Sequence, residues 1–229
     1  MVNIGLFYKA FYKIIKEKLW RTIGIRLYHK RNLFILNSCK KIIEMLKISN
    51  DSKYYLLDIG CGTGYLTAKI SEALHFKAIG IDLNIVPTSH SVEFLVADAC
   101  YLPFKPNSFI LVTAFSLIEH IPKGLRQKLF HEVHQVLKVG GFFIIQLPNR
   151  YFPLEQHTFL PLIGYLPSSL HSAFYYEYLS IPSIDDVVNQ LSKNFKIIRI
   201  INYGVPFSSF FERVYKFPFG FLIIGKRIK

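Results

Sequence analysis

The stretch Leu56-Leu57-Asp58-Ile59-Gly60-Cys61-Gly62-Thr63-Gly64-Tyr65-Leu66 runs an apolar segment into three glycines on alternate positions. Glycines let a chain turn tightly and let a ligand approach the backbone with no Cβ in the way. Two carboxylates follow. Asp82, 22 residues past Gly60, ends a second apolar run, where it can accept hydrogen bonds from both hydroxyls of a ribose. Asp98 ends a third run, placed to accept from the exocyclic amine of a purine. Acids at successive strand ends line the crevice where open α/β sheets bind ligands. Taken singly, each is as easily a helix cap or a turn former; in this order they point to a nucleoside-containing ligand. The glycine spacing is not the G-x-G-x-x-G of a dinucleotide site, which disfavours a nicotinamide oxidoreductase, and the phosphate loop G-x-x-x-x-G-K-[ST] is absent.

Such residues need a scaffold to hold them, and the flanking pattern predicts one. Strands are expected at 54–59, 78–81, 93–97, 109–115 and 142–147, with helices at 65–74 and 125–137. The run 109–115 is apolar throughout, as in a strand buried on both faces. Helix 125–137 carries Leu125, Leu129, Val133 and Val136 on one side, and Gly140-Gly141 is expected to close it. Alternating strands and helices of this length predict a doubly wound, largely parallel α/β sheet. Residues 148–181 are rich in Pro, Tyr, Phe and His without a period, and read as a long ordered insertion serving as lid or substrate loop. Ser183 is the expected N-cap of a further helix, and 196–201 and 219–224 read as two closing strands. Ahead of the sheet, 6–20 reads as an amphipathic helix, with Phe7, Phe11, Ile14 and Ile15 opposite Lys9, Lys13 and Lys16. A second helix is expected at 33–46 with Leu36, Cys39, Ile43 and Leu46 on one face, ending at the turn Asn50-Asp51-Ser52.

The chain has 229 residues, 51% of them hydrophobic, enough apolar side chain to exclude intrinsic disorder and to form one α/β domain with an extension. Its net charge of +13 sits in the flanks: +9 over residues 1–53, −3 over 54–192 and +7 over 193–229. Flank-borne charge suits an anionic surface or substrate, or simply a soluble basic exterior, better than a uniformly basic nucleic-acid binder. Cys39, Cys61 and Cys100 form no CxxC, so no disulfide framework or cysteine metal site is expected. No run is long and apolar enough to span a membrane, and lysines interrupt the N-terminus where a signal peptide would need an apolar core. The expectation is a cytoplasmic protein.

Leu57-Asp58-Ile59-Gly60-Cys61-Gly62-Thr63-Gly64, Gly80-Ile81-Asp82, Ala97-Asp98-Ala99-Cys100-Tyr101-Leu102-Pro103-Phe104 and Val136-Leu137-Lys138-Val139-Gly140-Gly141 resemble, in order and spacing, the successive motifs of class I S-adenosylmethionine-dependent methyltransferases, over residues 54–147. The resemblance implies a Rossmann-like, seven-stranded, mostly parallel sheet whose last strand is antiparallel, plus N-terminal helices. It implies S-adenosylmethionine as cofactor, held by Asp58, Gly60, Cys61, Gly62, Gly64, Asp82, Leu83, Asp98, Ala99 and Phe115. In that family Asp58 orients the loop or reaches the amino group, Asp82 takes the ribose hydroxyls, Asp98 the adenine amine and the Ala99 backbone a ring nitrogen. Ser116-Leu117-Ile118-Glu119-His120-Ile121 looks like a family segment near the sulfonium. One departure is Ile110, where many relatives carry an acid. The domain division is then a basic helical extension or lid, 1–53, and a methyltransferase domain, 54–229, with its substrate-side insertion at 148–181.

Methyl transfer from a sulfonium needs alignment more than acid–base help, and a base only when the acceptor loses a proton. Glu155, His157 and His120 are the candidates for that role, or they hold the structure together by hydrogen bonds. His131-Glu132-Val133-His134 lacks the i, i+4 pair of a zinc site, so no metal is expected. The aromatic insertion and helix 6–20 favour a small, lipophilic acceptor, with a peripheral contact to anionic membrane left open. Methylation of RNA and a catalytically silent cofactor-binding protein are the alternatives. The Asn/Asp-Pro-Pro-Tyr/Phe motif of adenine-amine enzymes is missing after the fourth strand, where Ala114-Phe115-Ser116-Leu117 stands.

Overall fold

A computed structural model describes residue 18, residue 21 and residues 24–45, 54–153, 162–165, 180–204 and 218–229. The expected helix 6–20 and the candidates Glu155 and His157 lie outside these residues. In chain order the elements are α1 (Ile25–Met45), β1 (Tyr55–Ile59), α2 (Tyr65–Leu74), β2 (Lys77–Asp82), β3 (Glu93–Val96), β4 (Phe109–Phe115), α3 (Arg126–Val136), β5 (Leu137–Pro148), α4 (Ile184–Leu191), β6 (Lys196–Tyr203) and β7 (Gly220–Lys226).

The seven strands form one sheet in the order β3-β2-β1-β4-β5-β7-β6, as the resemblance implied. Strands β1 to β5 pair in parallel, and β7 runs antiparallel to both β5 and β6. The order reverses between β1 and β4, which opens a crevice at their C-terminal ends. Both faces of the sheet are covered. Leu57, Ile59, Val112, Ala114, Phe143 and Ile145 pack with Leu129, Phe130 and Val133 of α3 and with Val187 and Leu191 of α4. Leu56, Leu111, Phe142 and Ile144 pack on the other face with Ile35, Cys39, Ile42 and Ile43 of α1 and with Ala68 and Ile70 of α2. The alternation along β1, β4 and β5 is what lets each strand feed both layers.

Two expectations change. Helix α1 begins at Ile25, eight residues before the expected start, because its first turns carry Arg26, Tyr28, His29, Lys30 and Arg31 in place of an apolar stripe. Gly140-Gly141 does not close α3. That helix ends at Val136, Leu137 is already extended, and β5 runs on through both glycines. Gly140, with φ of 82°, lies at the irregularity where the β4–β5 register shifts between Phe109 and Leu111. The last carbonyls of α3 are met by Arg227, which donates to the Gln135 and Leu137 carbonyls and to Asn107 Oδ1. Ser183 caps α4 as expected, its hydroxyl accepting from the Asp186 amide at 3.1 Å.

Candidate functional site

The glycine loop leaves β1 at the crevice, and each glycine has a distinct neighbour. A Cβ on Gly64 would lie 2.4 Å from Phe94 Cζ, and one on Gly60 would lie 2.8 Å from Leu117 Cδ1. At Gly62 a Cβ would meet nothing within 4 Å. Gly62 thus faces open space, the cradle a ligand needs, whereas Gly64 is buried and starts α2. Gly80 is small because the Cys61 sulfur packs on it, where a Cβ would lie 2.8 Å away.

Asp82 braces this loop. Its carboxylate accepts from the Gly62 amide at 2.9 Å and from the Asn84 amide at 3.1 Å. Asp98 accepts from the Cys100 amide at 2.8 Å. Both acids stand on one cavity of about 340 Å³, with Gly60, Leu83, Ala99, Leu117 and His120. A second cavity of about 330 Å³ is lined by Tyr28, Arg31, Asp58, Cys61, Gly62, Tyr65, Leu66 and Phe115. Gly60 and Ser116 line both cavities, so the two meet at that waist. Of the expected cofactor residues the structure therefore gathers nine around the cleft; Gly64 lines neither cavity among the described residues.

Asp58 is buried and accepts hydrogen bonds from Thr67 of α2 and, at 2.7 Å, from Thr113 of β4. It ties the helix after the loop to the neighbouring strand. Burial pushes its carboxyl up to about 6, against the pull of the two hydroxyls, and nearby Asp82 adds to the rise. A folded-state value above the ordinary 3.8 means protonation favours the folded form. This contribution is full below about 3.8 and is lost as pH rises through about 6. The shift corresponds to about 3 kcal/mol of charge burial. Asp58→Asn, which keeps polarity without charge, is expected to raise unfolding free energy near pH 8 by about 2 kcal/mol and to flatten the slope between these values in urea titrations.

Sequence reasoning missed a polar thread beside the waist. Ser116, a non-glycine residue at φ of 52°, directly follows β4. Its hydroxyl accepts from Arg31 Nη1 at 2.6 Å and donates to Gln146 Oε1 at 2.7 Å. Gln146 Nε2 in turn donates to the Tyr203 hydroxyl at 2.7 Å. Tyr203 is buried, which pushes its phenol up, and it stacks on Phe34 of α1 at 4.8 Å between ring centroids. Arg31 stacks on Tyr28, 4.6 Å from the ring centroid. The only sequence hint was a Tyr-x-x-Arg-Asn run, Tyr28 to Asn32, leading into an apolar helix face.

His120 is exposed at the rim of the first cavity. Its segment is fastened by Arg126, which donates to the Ile121 and Ser180 carbonyls, while the Ser180 amide donates to the Glu119 carbonyl at 2.8 Å. In the His131–His134 stretch, Glu132 accepts from the Leu102 amide at 3.0 Å and His134 packs edge-on against Phe195. Among the described residues no cluster of three His, Cys, Asp or Glu is placed to hold a metal. Burial raises the thiols of Cys61, to about 12, and Cys100, which makes both poor nucleophiles.

The residues present fit an adenosyl group: an open glycine face at Gly62, two strand-end carboxylates on one cavity, and a continuation past Gly60 and Ser116. Residues 56–141 match the family model described as a methyltransferase domain. An uncharacterized protein of Methanocaldococcus jannaschii is 26% identical over 184 residues, covering 78% of this chain and 80% of that protein. Phosphoethanolamine N-methyltransferase 3 of Arabidopsis thaliana is 30% identical over 120 residues, 48% of this chain but only 24% of that enzyme. Geranyl diphosphate C-methyltransferase from Streptomyces coelicolor, solved with S-adenosyl-L-homocysteine, shares the fold with a TM-score of 0.58 at 15% identity, over 84% of this chain and 78% of its own. The matched domain occupies the stretch that builds the cleft: residues 56–141 carry the pattern of a methyltransferase domain, on a chain that shares the fold of solved S-adenosylmethionine-dependent methyltransferases.

Proposed function

We propose that this protein transfers the methyl group of S-adenosylmethionine to a small, largely apolar acceptor. The observation that carries this reading is the pair of cavities joined at Gly60 and Ser116. Each is in the size range of small-molecule sites, and the second is walled by Tyr28, Tyr65, Leu66 and Phe115. Asp82 and Asp98 would hold the adenosyl half in the first cavity. The relatives named above act, by their names, on phosphoethanolamine and on geranyl diphosphate, both small molecules.

When bound, the cofactor supplies a methyl group already activated on a sulfonium, so the protein's task is to orient the acceptor and exclude water. Tyr28 and Arg31 of α1 sit on the second cavity, which supports the reading of the N-terminal extension as part of the acceptor wall or lid. No described helix is long and apolar enough to cross a membrane. A peripheral contact through the basic flanks belongs to the same proposal.

Two measurements test it. Calorimetry is expected to show binding of S-adenosylhomocysteine and none of NAD; the reverse result ends the reading. With tritiated S-adenosylmethionine, label is expected in solvent-extractable small molecules. Label in RNA instead, with binding that weakens steeply as salt rises, would replace the acceptor class. If an acceptor hydroxyl is methylated with proton loss to His120 or His157, alanine at that position lowers turnover about 100-fold and leaves S-adenosylhomocysteine affinity unchanged.

A further inference from the structure

The positive charge of the chain sits at its two ends in sequence, +9 over residues 1–53 and +7 over 193–229, and the fold brings parts of both together. A groove of about 500 Å³ runs between α1 and β6, lined by Phe34, Ser38, Lys41 and Ile42 on the helix and by residues 199–202 on the strand. Lys41 and Arg199, one from each element, are exposed, whereas Ser38 and Ile42 are buried. Phe34, Ile42 and Ile201 give the groove an apolar lining between the two cations. It shares no residue with either cavity of the cleft.

The surface around the groove continues this chemistry. Helix α1 carries Arg26, Lys30, Arg31, Lys40 and Lys41 against one acid, Glu44, and β6 carries Lys196 and Arg199 with no acid. Arg26, Lys30, Leu33, Asn37 and Lys40 follow at intervals of three or four and are all exposed, which makes them the outward stripe of α1. Leu33 on that stripe is 57% exposed, and Ile200 on the groove is 41% exposed. Cations interleaved with exposed aliphatic side chains suit a lipid surface, where the cations reach phosphates and the aliphatic groups enter the acyl boundary. A nucleic-acid backbone would satisfy the cations but leave Leu33 and Ile200 in water.

We propose that the face built by α1 and β6 docks on an anionic phospholipid bilayer, with the groove between Lys41 and Arg199 receiving a lipid phosphate headgroup. The inference deepens the reading of an apolar acceptor and a peripheral contact, and rests on that reading for its purpose. Tyr28 and Arg31, early in the same helix, wall the second cavity of the cleft. Phe34 of the groove stacks on Tyr203, and from there the thread through Gln146 leads to Ser116 at the waist. One helix thus borders both the acceptor cavity and the docking face.

The test is co-sedimentation of the full chain with vesicles of phosphatidylcholine containing one-third phosphatidylglycerol. Each cation near an anionic leaflet strengthens binding roughly fivefold, so Lys41→Gln with Arg199→Gln is expected to weaken vesicle binding about twentyfold. Lys105→Gln with Lys123→Gln removes the same charge from exposed positions away from the groove, and is expected to stay within about threefold. Leu33→Ser with Ile200→Ser is expected to weaken binding to the vesicles and to leave binding to single-stranded RNA unchanged. Equal losses from the two charge pairs, or no vesicle binding by the wild type, overturn the proposal. So does binding to RNA tighter than to vesicles that the Leu33 and Ile200 changes leave intact. S-adenosylhomocysteine affinity, read by calorimetry on the same proteins, is expected to be unchanged in every variant, which shows them folded. Vesicle binding by a wild type that binds no S-adenosylhomocysteine ends the methyltransferase reading and leaves the docking face standing; the reverse ends the docking face alone.

Discussion

Gly64→Ala is expected to lower the free energy of unfolding by about 3 kcal/mol or more. The residue sits at φ of 73°, where an L side chain costs about 1–2 kcal/mol. Its new methyl would also overlap the Phe94 ring at 2.4 Å, and that ring is itself packed on Gly80 and so has little room to retreat. Displacing a packed ring adds about 1–3 kcal/mol. Gly62→Ala is the matched control: φ of 53° carries the backbone cost, but no atom lies within 4 Å of the added carbon. Urea unfolding should thus separate the two by about 2 kcal/mol, while cofactor binding should rank them differently. Gly62→Val, with its branch in the open face, is expected to lose S-adenosylhomocysteine binding and keep its fold. A Gly64→Ala protein as stable as Gly62→Ala would show that Phe94 is not a fixed wall.

Asp82→Ala carries the largest expected loss of affinity. Hydrogen bonds to a charged acceptor contribute about 1.5–3 kcal/mol each, and this carboxylate is expected to accept from the ribose while also holding the Gly62 amide. Losing it should weaken S-adenosylhomocysteine by about 3 kcal/mol, on the order of a hundredfold in Kd. Because the ribose belongs to the nucleoside half, 5′-methylthioadenosine, which carries the same nucleoside without the amino acid, should weaken in parallel with S-adenosylhomocysteine. Unchanged affinity for both would remove Asp82 from the binding site and leave it a loop brace.

Much of this site was legible because it depends on local chain geometry. A glycine loop after an apolar strand, and acids at strand ends, are dictated by pattern, and the sheet brought Asp82 and Asp98 to one cavity as expected. What escaped was set by distant contacts. Arg31 and Asn32 interrupt an apolar helix face and look like a solvent-exposed start; only the approach of Ser116, 85 residues on, gives them a role. Gly140 read as a helix stop because nothing local shows that β5 begins at Leu137 and bends through it. Asp58 was expected to orient the loop or reach an amino group, but the two hydroxyls that hold it, one on α2 and one on β4, are partners that no local pattern shows.

The thread from Arg31 through Ser116 and Gln146 to Tyr203 joins α1 to β6, an edge strand of the sheet that follows the glycine loop by more than 130 residues. A nascent chain halted before residue 203 would already hold the glycine loop and both strand-end acids, yet lack the phenol that steadies the far end of this relay.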